Sequence, residues 1–434
     1  MYSTSTNYKE KILADSTRQL LNVYIDSNKI EDRYVLECKI TYKLLDNDEF
    51  CFGSTQAKTV NLKIHKNALP ETYTRFYIES GIAGEVVPIG YFNVDEISKD
   101  DDYTVSLTLI DDMSKFEFNY DGSALDYPAT ILTVLQDICS KAGVELGSTS
   151  FLNCNKQVAV YDNTVTARIY LGYIAEQAGG FAVIGRDGKL YIKTIGEDTA
   201  ELALRYFSEY SWGEKFKVSR IAYEDGIQDF KKGNEINNTI WISSDNMYIV
   251  DQEQIDNIYN EYQDFEIYSF SGTSIVDPAW DVGDILVIND RKIIYQGEFE
   301  YKGKFKANIS SDIQAKSKED TTATKISDKT KIRRVQSQID QVEGTITQLV
   351  QENDEFEEKL TQVEQTVDQI QQQVSDTIIY KREVEGVTEI HLEDAGEADI
   401  LELEIQGNKT YESNLYPGEN VFPSESLQPN MEVI

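Results

Sequence analysis

The residues best able to do chemistry are few. His65 and His391 are the only histidines, and they stand on opposite sides of a long heptad segment. Neither a histidine metal cluster nor a Ser/His/Asp triad is visible. His65, in "NLKIHKNALP", reads as a surface residue at a strand end, and His391 sits between Ile390 and Leu392 on a strand-like run. Cys38, Cys51, Cys139 and Cys154 lack CxxC spacing, which points to reduced thiols rather than a disulfide frame or a metal knuckle. A Cys139 nucleophile would need a base beside it, and its place next to an apolar helix face favours a buried, inert thiol. Asp111 with Asp112, or Asp394 with Glu397, could serve as a glycosidase carboxylate pair, but among 76 acidic residues such a choice is arbitrary. No GxxxxGK[ST] or Rossmann glycine pattern occurs, and "GRDG" is explained as a hairpin turn. The expectation is a protein with no catalytic, cofactor-binding or metal residues.

Composition narrows the class further. Acidic residues outnumber basic ones 76 to 41, for a net charge of -35, so a surface that grips nucleic-acid phosphates is not expected. A chain of 434 residues exceeds one core and implies several domains. Its 27 Tyr and 17 Phe argue for cores rich in aromatics rather than for disorder throughout. No apolar run reaches the roughly 18 residues of a membrane span, and the N-terminus has no secretory pattern.

The elements fall into blocks. Residues 1–118 carry period-two runs such as "LLNVYID", "YVLECKITYKLL", "TVNLKIH", "YTRFYIES", "GYFNVDEI" and "YTVSLTLIDD", the pattern of a β domain. "ISKDDDYT" reads as a hairpin turn. Residues 119–205 switch to helical spacing: Ile131, Leu135, Ile138 and Ala142 recur on one face, with Pro128 near the start and Gly143 at the stop. A second helix over about 163–178 ends at Gly179 and Gly180, followed by two strands around Arg186-Asp187-Gly188, which gives an α/β module. Period two returns over 206–316 as a second β domain, and 317–330 lacks periodicity and reads as a linker.

From Ile332 the spacing alternates three and four. The a positions are Ile332, Ile339, Ile346, Asn353, Leu360, Val367 and Val374, and the d positions are Val335, Val342, Leu349, Phe356, Val363 and Ile370. A seam sustained this long predicts a coiled coil over 331–378. Branched side chains at both positions pack poorly in a two-stranded coil, so the expectation is a parallel trimer. Asn353 either fixes register or is a tolerated polar defect. Residues 379–434 hold strand-like runs and the repeat "NLYPGE", "NVFPSE", "SLQPNM", which either winds round a threefold axis or trails as a tail.

Several stretches together carry a resemblance. They are "YKEKILADSTRQLLNVYID", "IGYFNVDEISKDDDYTVSLTLIDDMSKFE", "PATILTVLQDICSKAGVEL" and "VDPAWDVGDILVINDRKIIYQGEFEYKGKFKANISS". In order and spacing, across roughly 8–315, they resemble tail hub proteins of phages and prophages of Gram-positive bacteria, the tail-associated or prophage endopeptidase tail family. The resemblance implies a mainly β chain with α/β content: two tail-tube-like β-barrel domains flanking the module, assembled as a homotrimer. It also implies a place at the virion tail tip. There the hub would adapt a hexameric tube to threefold symmetry, close the channel and open for DNA release. The implied partners are a distal tail protein, a tail tube protein, the tape measure protein and DNA passing without specific binding, with possible contact to the host cell wall. Two other readings stay open, a tail-associated peptidoglycan endopeptidase and an adhesin acting through the C-terminal region. Residues 379–434 are too short for a usual hydrolase and hold one histidine, so the peptidase role is not carried over.

The coil expectation is tested by the solution mass of the intact chain against one cut at residue 325. A trimer is expected for the first and weaker association for the second; equal masses would remove the coil from the account.

Overall fold

The structure, a computed structural model, describes residues 1–14, 19–45, 49–82, 84–99, 102–159, 165–226, 228–234, 238–311, 314–315, 403–404 and 432–433. One compact unit comprises 1–158 with 163–324. A second comprises 159–162 with 325–434, and in it strands Leu403–Glu404 and Glu432–Val433 pair antiparallel. The thirteen seam positions from Ile332 to Val374, and the Pro repeat, lie outside the described residues.

The first unit is mainly β. The alternating runs of 1–118 form strands Leu20–Ile25, Val35–Thr41, Thr59–His65, Phe76–Ile82, Glu85–Lys99 and Thr104–Ile110. In Thr59–His65, Val60, Leu62 and Ile64 are buried while their neighbours are not, as period two requires. The hairpin expected around 99–102 forms, with Lys99 opposite Val105 and Asn93 opposite Ile110.

Among the described residues the two expected closed barrels do not form. The largest sheet has thirteen strands, twelve in one open hydrogen-bonded path with Leu20–Ile25 and Asn28–Lys29 at one end and Phe207–Glu224 with Asp229–Gly233 at the other, and Asn238–Ile242 off the path beside Phe207–Glu224. Glu85–Lys99 accounts for part of this. Its residues 85–92 pair with Phe76–Ile82 and its residues 93–99 with Thr104–Ile110, and its ladders shift register between Val94 and Glu96. A long strand bent at a bulge can serve two arcs of a sheet without closing either. The remaining cause is a crossing. Strand Phe299–Tyr301 leaves the second β region and pairs with Val35–Thr41 of the first, Phe299 opposite Ile40 and Tyr301 opposite Cys38. One core therefore holds Val23, Leu62 and Leu109 together with Phe270, Leu286 and Ile309.

Of the four α-helices described, two answer the sequence reading. Ile131–Ala142 (α2) starts under a Thr130 side-chain cap and stops at Gly143, whose φ of 66° is the left-handed turn that glycine adopts without strain. Ala167–Gln177 (α3) is capped by Thr166 and precedes Gly179 at φ 63°. Thr6–Ile12 (α1) and Gln252–Tyr262 (α4) are absent from that reading. The second had a signal: Ile255, Ile258 and Tyr262 at helical spacing after a capping box in which the Asp251 and Gln254 side chains each accept the other's backbone N–H. The many strand-like neighbours masked it.

Helix α4 closes the second core, where Phe50 and Phe52 meet Tyr262 and Phe265. The Tyr262 hydroxyl, in that apolar setting, accepts from the Ile195 N–H at 2.9 Å and donates to the Gly179 carbonyl at 2.6 Å. Tyr262→Phe removes both bonds and leaves a buried N–H without its acceptor. A loss of about 1–3 kcal/mol is expected in urea unfolding at unchanged m value; a loss below a few tenths would mean water reaches these groups.

Candidate functional site

The histidine, cysteine and paired carboxylates weighed in the sequence have the following places in the structure. His65 ends its strand and accepts the Asn67 N–H through Nδ1 at 3.3 Å. Cys139 is buried on α2, and burial pushes its thiol up to about 12, far from a nucleophile's range. None of the four cysteines is in a disulfide. Asp111 caps a short 3-10 turn by accepting the Met113 N–H and also takes the Lys58 N–H at 3.0 Å, while Asp112 takes Arg75 at 2.6 Å and Asn93 at 2.8 Å. Among the described residues no group of three His, Cys, Asp or Glu could hold a metal. Asp394, Glu397 and His391 lie outside the described residues.

A charged joint forms where the three blocks of the first unit meet. The strands Gly180–Ile184 and Leu190–Thr194 turn at Arg186-Asp187-Gly188, with Gly188 at φ 80°. This hairpin carries Arg186 into the loop 276–284, "VDPAWDVGD". The Arg186 Nε reaches Asp281 Oδ1 at 2.9 Å, and its Nη2 donates to the Pro278 carbonyl at 2.9 Å and the Trp280 carbonyl at 3.1 Å. The Nη1 donates to the carbonyl of Pro88 in strand Glu85–Lys99. One guanidinium thus binds the module, the first β region and the second, using the planar fork that lysine lacks.

The three aspartates of that loop occupy different electrostatic states. Burial would raise the Asp281 carboxyl, but Arg186, Lys193, the Met1 ammonium and Lys58 outweigh it and hold it down to about 2. Asp284 is pushed up to about 6 by burial, reinforced by the charges of Asp281 and Asp198, although it accepts the Asp281 N–H at 2.7 Å. Asp277 is also raised, mainly by burial, while accepting from the Tyr8 hydroxyl at 2.9 Å and the Ala279 N–H at 2.8 Å. Tyr8 comes from α1, so the same loop anchors that helix as well.

Beside the joint lies a cavity of about 370 Å³. Tyr42, Tyr191, Trp280 and Phe299 supply aromatic wall, and Lys58 and Lys193 supply ammonium groups. Lys58 donates to the Ile89 carbonyl at 3.1 Å, and its Nζ lies 5.8 Å from the centre of the Tyr42 ring. Burial, with the repulsion of Arg186, lowers its pKa to about 8.

Of these residues, the sequence reading reached only the turn. "GRDG" reads as a hairpin, and "VDPAWDVGDI" has no role legible in its own residues. The available signal was the spacing of Asp277, Asp281 and Asp284 round an aromatic and a glycine. Nothing local pairs that loop with Arg186, some 90 residues away, or with Lys58.

No protein-family model matches the chain, and no curated protein matches it. Three solved structures are similar at low identity. The 43 kDa tail protein of prophage MuSo2 from Shewanella oneidensis is 13% identical, with a TM-score of 0.45 over 67% of this chain and 97% of that one. A tail protein from Neisseria meningitidis MC58 is 10% identical, with a TM-score of 0.42 over 67% and 94%. The prophage tail protein gp18 from Listeria monocytogenes EGD-e is 11% identical, with a TM-score of 0.43 over 70% and 97%. At such scores the likeness is too loose to assign a role.

The joint makes a signed expectation about pH. Asp284 has a folded-state pKa above its ordinary 3.8, so its contribution is present below that value and is lost as pH rises toward about 6. Asp284→Asn keeps an acceptor and removes the charge. It is expected to raise stability by about 2 kcal/mol at pH 7 and by little at pH 4, read from urea midpoints; destabilisation at pH 7 would show that the carboxylate is favourably paired instead.

Proposed function

We propose that the chain is a structural subunit of a phage tail, a hub that works as a homotrimer at the tail tip. In this reading it adapts a hexameric tube to threefold symmetry, closes the channel and opens for DNA release. The support begins with the sequence resemblance across 8–315, which coincides with the compact mainly β unit.

The observation that carries the proposal is the open end of the strand path. Phe207–Glu224 is 18 residues long, and its first part pairs only with Glu266–Ile275, so among the described residues the other edge of 208–217 has no strand beside it. Residues 208–211 and 213–215 are exposed, and Tyr210 is 50% exposed. A monomer usually blunts such an edge. Here the edge fits a sheet completed by another copy, as a ring requires. The predicted seam through Ile332, Ile339 and Ile346 would hold the copies in register.

The remaining roles follow within the same reading. A distal tail protein and a tail tube protein would stack on one side of the ring, and the tape measure protein would end in its channel. The net charge of -35 would let DNA slide past without sticking. Hydrolase activity would instead appear as sustained release of fragments from purified cell walls.

Tyr210→Pro removes an N–H that faces the open edge, since Tyr210 stands opposite Gly272 while the N–H of Ser211 is turned toward Ser271. The expected outcome is a lower oligomeric mass by light scattering, with the trimer of the intact chain weakened at least about tenfold. Unchanged association would remove this edge from the interface.

A further inference from the structure

The cavity beside the joint has an electrostatic property that the joint does not need. The Arg186 guanidinium and the Asp281 carboxylate satisfy each other, and the Asp187 carboxylate is taken by the Tyr191 hydroxyl at 2.8 Å and the Lys189 N–H at 3.2 Å. Lys58 and Lys193 are left over. Lys58 has one carbonyl acceptor, and Lys193 has no hydrogen-bond or ion-pair partner for its ammonium among the described residues. Both lie near enough to Asp281 to depress its carboxyl, so the two cations face the same space. Acidic residues outnumber basic ones 76 to 41 here, yet among the described residues neither ammonium group has a carboxylate at ion-pair distance, and both feel the Asp281 charge only from further off.

The walls add a second feature. Tyr42 is only 4% exposed, lines the cavity, and its hydroxyl has no hydrogen-bond partner among the described residues. A hydroxyl that lines a cavity without a protein partner can donate to a group that enters it. Trp280, at 5% exposure, and Phe299, at 6%, present ring surface to the same space. A mostly apolar cavity of a few hundred Å³ with a few convergent polar groups is the usual form of a small-molecule site.

We infer that this cavity binds a small organic anion, a carboxylate or phosphate carried on a compact ring. The anionic group would sit between the Lys58 and Lys193 ammonium groups, the Tyr42 hydroxyl would donate to it, and the ring would lie against Trp280 and Phe299. Lysines suit this role as point charges that accept either anion geometry. Inorganic phosphate alone would leave the aromatic wall unused, and a neutral ring would leave both ammonium groups unpaired. The inference is independent of the tail reading, since it rests only on residues within this cavity.

Titration calorimetry on the full chain distinguishes these cases. The probes are phenyl phosphate, benzoate, inorganic phosphate and benzyl alcohol. One molecule of an aryl anion per chain is expected, bound at least about tenfold more tightly than inorganic phosphate or benzyl alcohol, and the stronger of the two aryl anions identifies the headgroup. Lys193→Met and Tyr42→Phe should each weaken binding several-fold, while Tyr103→Ser, 71% exposed, should leave it unchanged. Lys58→Met should abolish binding; since it removes a partly buried cation, its melting temperature is measured alongside, and Lys193→Met decides the matter if that variant does not fold. Equal affinity for benzyl alcohol and benzoate, no binding by any probe at millimolar concentration, or full binding by the folded Lys193→Met variant would overturn the assignment.

Discussion

The fold depends on one guanidinium. Arg186 satisfies the Asp281 carboxylate and three backbone carbonyls drawn from two separate β regions, and it does so from the tip of a hairpin belonging to a third segment. Its side chain is 14% exposed, and a buried charge is tolerable only when paired and hydrogen-bonded on all sides. Removal of the Arg186 side chain would take from the Asp281 carboxylate its largest compensating charge, leaving the Met1 ammonium at 3.2 Å, and would leave three carbonyls without this donor. That asymmetry makes it a joint rather than one contact among many.

The strand crossing and the joint reinforce each other. Phe299–Tyr301 brings the second β region against Val35–Thr41, and Tyr301 closes the crossing by donating to the Gln19 carbonyl at 3.0 Å. The loop 276–284 precedes that strand and is fixed by Arg186 above and by Tyr8 of α1 below. The cavity is a by-product of this geometry: three segments meet at angles set by their own sheets, and the space between them is lined by whatever each contributes. Its two lysines without a carboxylate at ion-pair distance, and the tyrosine hydroxyl beside them, give that space a chemistry of its own.

Much of the local structure was legible in the sequence because it depends on neighbours in the chain. The alternation of Val60, Leu62 and Ile64, the helix ending at Gly143, and the Arg186-Asp187-Gly188 turn are each set by a few adjacent residues. Helix α4 was legible in principle through Asp251, Gln254, Ile255 and Ile258, but its surroundings alternate strongly. The open path in place of two barrels was not legible. It depends on Phe299 finding Ile40 across most of the first unit, a long-range pairing without a local signature. The same holds for the site, where Lys58, Arg186 and Asp281 belong to three blocks and only folding brings them together.

Native-state hydrogen exchange of Arg186→Met against the unaltered chain tests the joint most directly. The account expects protection to fall together in strand Glu85–Lys99, in the hairpin of Gly180–Ile184 with Leu190–Thr194, and in Ile285–Ile288 with Arg291–Ile294, because one group ties all three. Loss confined to the hairpin, with the other segments protected as before, would contradict it.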